Sequence, residues 1–152
     1  MVTIRHALIS DAEALASLAE ETFRGTFSNK NSASDLELHT SENFSSKLQR
    51  REILDSNTVT ILAELDHELV GYAQVQLVSA KECVPAKRPS ELQRFYVSTQ
   101  WHGLGVAPAI MTEVFMVAAN AQSDGIWLGV WEHNPRAIAF YTKYDFRTVG
   151  EH

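Results

Sequence analysis

The sequence has little of what stabilises small disulfide-bonded or metal-binding proteins. Among its 152 residues there is one cysteine, Cys83, so neither an internal disulfide nor a cysteine-rich zinc site is expected. The histidines show no spacing typical of metal ligands, and we expect no metal. Cys83 lies in a proline-flanked loop without a helix N-terminus behind it, which argues against a nucleophilic thiol.

Long apolar runs and an excess of positive charge are also lacking. No run approaches the roughly 18 residues of a membrane-spanning helix, and Met1–Arg5 resembles a strand rather than a signal peptide. The net charge of -6 disfavours non-specific binding to nucleic acid and mildly favours a cationic substrate. We therefore expect a cytoplasmic protein that binds neither membrane nor nucleic acid.

The apolar pattern predicts one α/β domain over residues 1–152, without repeats or linkers. Apolar residues make up 45% of the chain, which is enough for a single core. The predicted elements, in chain order, are strand Val2–Arg5, helix Ala12–Phe23, a helix Ser34–Leu54, hairpin strands Thr58–Leu65 and Leu69–Val78, strand Leu92–Val97, a helix reaching Ala118, a buried strand Gly125–Trp131, a helix from Asn134–Pro135, and strand Arg147–His152.

A strand that runs through glycines into a helix is the strongest local signal. The bare backbone of Gly103 and Gly105 allows close approach of a ligand, and the first-turn N–H groups of the following helix have no partners within it. Such a turn is typical of an anion site. The mononucleotide P-loop requires Gly-Lys-Ser/Thr, whereas Gly105 is followed by Val106-Ala107. The dinucleotide fingerprint lacks its acidic residue at the end of a strand.

Two motifs in this order resemble those of the GNAT superfamily of acetyl-CoA-dependent N-acetyltransferases. The first, Gln-x-x-Gly-x-Gly at residues 100–105, resembles the pyrophosphate-binding loop. The second resembles the segment that carries a pantetheine-contacting asparagine and the catalytic tyrosine, and it reads Asn134-x-x-Ala137-Ile138-x-Phe140-Tyr141-x-x-x-Asp145-Phe146. The family usually has Gly-Phe where this chain has Asp145-Phe146, although Asp also tolerates a left-handed helix stop.

The resemblance implies a fold, a reaction and a co-substrate. The implied fold is a mixed central sheet of about six strands, flanked by helices and splayed between the fourth and fifth strands. The implied reaction moves an acetyl group from acetyl-CoA to a primary amine, a small molecule or polyamine, by direct attack in a ternary complex. The first helices and their linker wall the acceptor site in this superfamily, and a homodimer is an assembly common among its members.

The resemblance also assigns site residues. Tyr141 is expected to be the general acid for the leaving thiolate. Glu91 is expected to be the base, acting through water, with Gln93 on the same side of the strand where related enzymes often have an acid. A backbone N–H near Val97, at an implied bulge, is expected to bind the oxyanion, and Gln100 to brace the loop. The expected cofactor contacts are Phe95, Tyr96, Val97, Gln100, His102, Gly103, Leu104, Gly105, Val106, Ala107 and Asn134.

Two alternatives remain open from the sequence. The first alternative is that the chain is a non-catalytic acyl-CoA-binding module. The second is that it acetylates protein amines rather than small molecules. Gln93 cannot accept a proton, which favours the non-catalytic alternative. We expect the usual last strand after Arg147–His152 to be missing, an expectation that also favours the non-catalytic alternative and predicts marginal stability or edge pairing with another chain. Purely structural roles also remain open, for Glu91 as a surface carboxylate, Tyr141 as a core tyrosine and Asn134 as a helix cap.

Overall fold

A mixed five-stranded sheet lies at the centre of the described chain. The computed structural model describes residues 2–27, 46–129 and 134–148. In spatial order the strands are β1 (Thr3–His6), β2 (Thr58–Leu65), β3 (Glu68–Gln76), β4 (Ser90–Val97) and β5 (Ile126–Trp127). The first four strands pair antiparallel and β5 pairs parallel with β4. The α/β class and the mixed sheet are therefore as predicted.

Helices cover both faces of this sheet. Their bounds are α1 (Ala12–Phe27), α2 (Ser46–Leu54), α3 (Val106–Asn120) and α4 (Pro135–Thr142). Leu15 and Leu18 of α1 pack in one apolar cluster with Tyr72 of β3, whereas Ile110 of α3 packs in another with Val75. Because neighbouring strand residues point to opposite faces, α1 and α3 lie on opposite sides of the sheet. Within the described ranges, no helix is both long and apolar enough to cross a membrane.

The hairpin between β2 and β3 forms as the sequence predicts. Asp66 and His67 connect the strands with φ angles of 52° and 67°. Two central residues with positive φ give the primed turn whose twist matches that of the flanking strands. The hairpin places β3 at the middle of the sheet, with β4 on its other edge.

The number and length of the last strands differ from expectation. The described residues form five strands, not about six, because Arg147 and Thr148 are outside any strand and residues 149–152 lie outside the described ranges. Of the described part of the predicted strand, residues 125–129, only Ile126 and Trp127 form a strand, and both are half-buried, whereas residues 130 and 131 lie outside the described ranges. An apolar run indicates partial burial, but it does not tell how far two strands stay within hydrogen-bonding distance.

The long second helix is confirmed only in its C-terminal part. The structure has α2 over Ser46–Leu54, and the predicted residues 34–45 lie outside the described ranges. Gln49 of α2 is fully buried, and Glu52 forms an ion pair with Arg94 of β4 at 2.9 Å. Ile53 of α2 packs against the cluster that contains Leu15, which places α2 on the same face of the sheet as α1.

Candidate active site

The glycine loop leads from the end of β4 into α3. A single helical turn, Thr99–Trp101, is followed by Gly103 and Gly105 with φ angles of 80° and 84°. A Cβ atom at either glycine would meet nothing within 4 Å, so the backbone conformation and not the space requires glycine. Gly105 is the N-cap of α3 and provides no side-chain cap, so the first N–H groups of the helix remain for a ligand.

His102 braces this loop against the strand. Its Nε2 donates a hydrogen bond to the carbonyl oxygen of Val97 at 2.9 Å, since a carbonyl can only accept. Gln100 was expected to brace the loop, but it is exposed, and no hydrogen bond of its side chain is found within the described ranges. Among the described residues, the side chain that holds the loop to β4 is therefore that of His102, and bracing by Gln100 stays a prediction.

Phe95, Tyr96 and Val97 lie where β4 and β5 separate. β4 pairs with β5 only at Ser90–Ile126 and Glu91–Trp127 in the part of the chain that is described. Its pairing with β3, by contrast, continues to Val97. The predicted splay between the fourth and fifth strands is therefore present. Within the described ranges no residue pairs with this edge of β4 beyond Glu91, and the amides of an extended ligand could pair along it.

Tyr141 of α4 packs beside this gap. Its ring lies 6.2 Å from the ring of Phe95, in edge-to-face geometry, and 5.4 Å and 5.7 Å from the rings of Phe140 and Phe146. Aromatic pairs at these distances restrict the orientation of the ring. The structure thus brings Tyr141 together with the C-terminal half of β4, as a catalytic role requires.

The environment of Tyr141 keeps its phenol protonated. Burial, and to a lesser degree the neighbouring Tyr96, raises the pKa of Tyr141 to about 12. Burial likewise raises the pKa of Tyr96. No hydrogen-bond partner for the Tyr141 hydroxyl is found among residues 2–27, 46–129 and 134–148. A neutral, unpaired hydroxyl at this position is able to donate a hydrogen bond to a ligand atom.

Asn134 caps α4. Its Oδ1 accepts a hydrogen bond from the N–H of Ala137 at 3.2 Å, and Pro135 occupies the first helical position. Both features are typical of a helix start, so the predicted cap is confirmed. Contact between Asn134 and pantetheine stays a prediction.

Glu91 lies at the far end of β4 from the glycine loop. Its Oε1 accepts a hydrogen bond from the Ser79 hydroxyl at 3.2 Å. Glu91 and Val97 are separated by about 20 Å along an extended strand, at roughly 3.3 Å per residue. A base at Glu91 would therefore need a chain of waters to reach an amine near Val97.

A β-bulge interrupts the pairing of β4 with β3 at Gln93. Arg94 pairs with Gln74 and Leu92 with Val75, so Gln93 is the extra residue. The pairing is regular from Arg94 to Val97, so on this side of β4 the bulge lies at Gln93 and not near Val97. Gln93 itself is exposed. Because a bulge disturbs the local alternation of side chains, a shared side for Glu91 and Gln93 stays a prediction.

Two contacts near the end of β4 have no signal in the sequence. The hydroxyl of Ser98 donates a hydrogen bond to Oε1 of Glu21 in α1 at 3.2 Å. Arg94 donates one to Oε1 of Glu52 in α2 at 2.9 Å. The partners are 77 and 42 residues apart, so only the fold brings them together.

A large cavity reaches Tyr141 from the side of β5. Its volume is about 1310 Å³, and its walls come from α3, β5, α4 and the loop that contains Cys83. Aromatic residues on these walls are Phe115, Trp127, Tyr141, Tyr144 and Phe146. The described part of its lining includes no residue of the glycine loop, so this cavity is separate from the proposed pyrophosphate position. Within the described ranges no group of three acidic, histidine or cysteine side chains could hold a metal.

Comparison with known proteins agrees with the motifs. The model of the acetyltransferase (GNAT) family matches residues 13–146. A protein of Mycobacterium tuberculosis strain H37Rv, named an uncharacterized N-acetyltransferase, is 30% identical over 142 residues, which cover 93% of this chain and 86% of that protein. An uncharacterized N-acetyltransferase from Lactobacillus delbrueckii subsp. lactis is 23% identical over 93% of this chain and 82% of its own length.

Solved structures show the same fold. The PaiA N-acetyltransferase of Thermoplasma acidophilum in complex with coenzyme A has a TM-score of 0.81 and 21% identity, covering 95% of this chain and 88% of that one. An aminoglycoside acetyltransferase from an uncultured soil metagenomic sample, in complex with sisomicin, has a TM-score of 0.75 and 15% identity, covering 99% and 93%. The chain therefore belongs to the acetyltransferase (GNAT) family.

Proposed function

We propose that the chain acetylates a primary amine of a small molecule or polyamine by direct attack on acetyl-CoA in a ternary complex. The observation that carries this proposal is the position of Tyr141. Its half-buried phenol lies against Phe95 at the gap between β4 and β5, and the same strand leads into the glycine loop. β4 thus leads into the glycine loop, which is suited to bind an anion, and also contacts Tyr141, whose hydroxyl can donate a hydrogen bond.

The main chain supplies most of the proposed co-substrate site. The N–H groups of residues 102–107 are proposed to hold the pyrophosphate, with Gly103 and Gly105 allowing its close approach. The edge of β4 that faces β5, from Phe95 to Val97, is proposed to pair with pantetheine, and Asn134 to contact it from the start of α4. When bound, acetyl-CoA supplies an activated acetyl group and a thiolate leaving group.

Tyr141 is proposed to stabilise the leaving thiolate by donating a hydrogen bond. The pKa of Tyr141 is raised to about 12, whereas a thiol has a pKa of about 8.5. Complete proton transfer would therefore be uphill by roughly 5 kcal/mol at about 1.36 kcal/mol per pKa unit. A hydrogen bond avoids that cost and still stabilises the charge that develops on sulfur.

The acceptor amine must lose its proton before it attacks. An alkylamine with a pKa of about 10.4 is almost wholly protonated at neutral pH, and removing its proton costs roughly 4 to 5 kcal/mol. Glu91, on β4, remains our proposed base, acting through water, because the Ser79 hydroxyl holds its carboxylate in place by a hydrogen bond. The oxyanion is proposed to accept a hydrogen bond from a backbone N–H near Val97.

An exposed glutamine in the bulge of β4 favours a second candidate function. Gln93 cannot accept a proton, and it stands where related enzymes often have an acid. In that case the chain would bind acyl-CoA without catalysis. Acetylation of protein amines is a further alternative within the same reaction class.

A screen of amines distinguishes these functions. The protein is mixed with acetyl-CoA and, in turn, with diamines, polyamines, amino sugars and lysine peptides, while release of free CoA is followed. We expect release with small amines and little with peptides. Binding of acetyl-CoA without release for any amine would support the non-catalytic module, and faster release with peptides would support a protein substrate.

A further inference from the structure

Glu21 lies next to the C-terminal end of β4 although it belongs to α1. Its Oε1 accepts a hydrogen bond from the hydroxyl of Ser98, the residue that follows β4. Ser98 is only 4% exposed, and its N–H donates to the carbonyl of Val70 at 2.9 Å. The exposed Glu21 is thus held by a buried, fixed partner.

Glu21 has no cationic partner among the described residues. Asp11 and Glu64, by contrast, both pair with Arg5, and Glu52 pairs with Arg94. A carboxylate that is held in place and faces solvent without a compensating charge is suited to bind a cationic ligand.

The position of Glu21 relative to the reaction differs from that of Glu91. Ser98 is the next residue after Val97, and adjacent Cα atoms are about 3.8 Å apart. One hydrogen bond further, the Glu21 carboxylate lies within roughly 10 Å of the Val97 N–H. Glu91 is about 20 Å away along the same strand. Glu21 is therefore the closer of the two carboxylates.

The face of the sheet on which Glu21 lies is also consistent with a role in binding the acceptor amine. α1 packs with Tyr72 and Tyr96 on one face, and α3, which follows the glycine loop, packs on the other. A co-substrate whose phosphates lie at the start of α3 occupies the α3 side of the gap, which assigns the α1 side to the second substrate. Glu21 belongs to α1 and lies on that side.

We propose that Glu21 determines acceptor specificity by binding a second cationic group, a few carbon atoms from the reacting amine. This inference rests on the proposed function and narrows its substrate class to diamines and polyamines. A span of up to roughly 10 Å between the Glu21 carboxylate and the Val97 N–H accommodates a short diamine. The net charge of -6 adds a field that favours such a ligand.

Binding measurements on the CoA-loaded protein test this proposal without requiring turnover. The affinities for putrescine and for butylamine, which differ by one ammonium group, are measured by calorimetry for the wild type and Glu21→Gln. Gln keeps an oxygen that accepts the Ser98 hydrogen bond, so the fold is preserved while the charge is removed. We expect putrescine affinity to fall roughly five- to tenfold and butylamine affinity to stay within about twofold.

Glu13→Gln is the matched control, because it removes the same charge from the exposed first turn of α1. It should leave both affinities at wild-type values. Equal weakening of both amines by Glu21→Gln, or no change for putrescine, would overturn the proposal. Charge-dependent binding of putrescine without release of CoA would contradict the proposed function and leave the role of Glu21 intact.

Discussion

The Tyr141 hydroxyl is a hydrogen-bond donor that the described part of the fold leaves unused. Replacing Tyr141 by Phe removes this hydroxyl and keeps the ring in its aromatic cluster. We expect turnover to fall roughly 100-fold, with acetyl-CoA binding changed by less than about twofold because the main chain dominates that site. Steady-state kinetics with the best amine of the screen and calorimetry with acetyl-CoA measure the two effects.

Tyr144→Phe provides the control for Tyr141. Tyr144 belongs to the same aromatic cluster through Phe115 and Phe140, but lies after the end of α4. Its loss should leave turnover close to that of the wild type. Unchanged turnover of Tyr141→Phe, with chemistry shown to be rate-limiting, would contradict the proposed hydrogen bond from Tyr141 to the leaving thiolate.

The local motifs identify residues whose partners are close in sequence. Gly103 and Gly105 have the positive φ angles that a glycine turn requires, and Asn134 caps the helix that begins at the next residue. The bulge at Gln93 and the contact of Glu21 with Ser98 depend on strands and helices far apart in the chain. No spacing rule covers such pairs, so neither feature could be predicted from the residues around it.

At the level of elements, α4 depends on Asn134 for its first turn. Asn134→Ala removes the acceptor of the Ala137 N–H and should lower the free energy of unfolding by about 1 kcal/mol. Asn134→Ser retains a capping oxygen and should restore that stability. We expect both variants to raise the KM for acetyl-CoA, because the shorter serine does not replace the amide that we propose contacts pantetheine. Urea denaturation and steady-state kinetics measure the two quantities.

A different result would separate the two roles of Asn134. If Asn134→Ser restored both the stability and the KM, the residue would be a cap alone. Pro135 preorganises the same turn, so α4 is expected to form in either variant.

The ends of the elements were harder to predict than their types. β2 has the predicted bounds, and α1 begins at Ala12 as predicted but continues to Phe27, beyond the predicted end at Phe23. β5 is shorter than its apolar run because β4 and β5 separate after two paired rows. Local composition indicates a strand, whereas its length depends on a neighbour that the sequence does not position.

At the scale of the whole molecule, buried phenols make the fold sensitive to alkaline pH. The pKa values of Tyr72, Tyr96 and Tyr141 are all raised, mainly by burial. A raised pKa means that the folded state holds the proton more tightly than the unfolded state does. This stabilisation is complete below about pH 10 and is lost as the pH rises through the folded pKa values. For Tyr141, a shift from 10.0 to about 12 corresponds to about 3 kcal/mol.

We therefore expect the free energy of unfolding to decrease as the pH rises from about 10 to about 12. Tyr72→Phe should make this decrease smaller. It should also keep or raise stability at neutral pH, because the fully buried Tyr72 hydroxyl has no hydrogen-bond partner among the described residues. Urea denaturation at a series of pH values measures both effects. If the free energy of unfolding decreased equally steeply with pH in the wild type and in the variant, ionisation of Tyr72 would not contribute to the loss of stability.

The overall architecture could be predicted because its order of strands and helices follows from the apolar pattern. The pairing of β4 with both an antiparallel and a parallel neighbour was implied by the resemblance rather than by composition. The single-domain organisation, the edge pairing and the assembly remain predictions. They depend on contacts beyond those of the described residues.

The cysteine at the cavity wall has a practical consequence. Cys83 is exposed and is the single thiol of the chain. A colorimetric reagent that detects free CoA will therefore also react with the protein itself, once per molecule and before any turnover. The size of that initial burst measures the concentration of protein molecules. A fluorophore coupled to Cys83 would report the binding of a ligand in the neighbouring cavity.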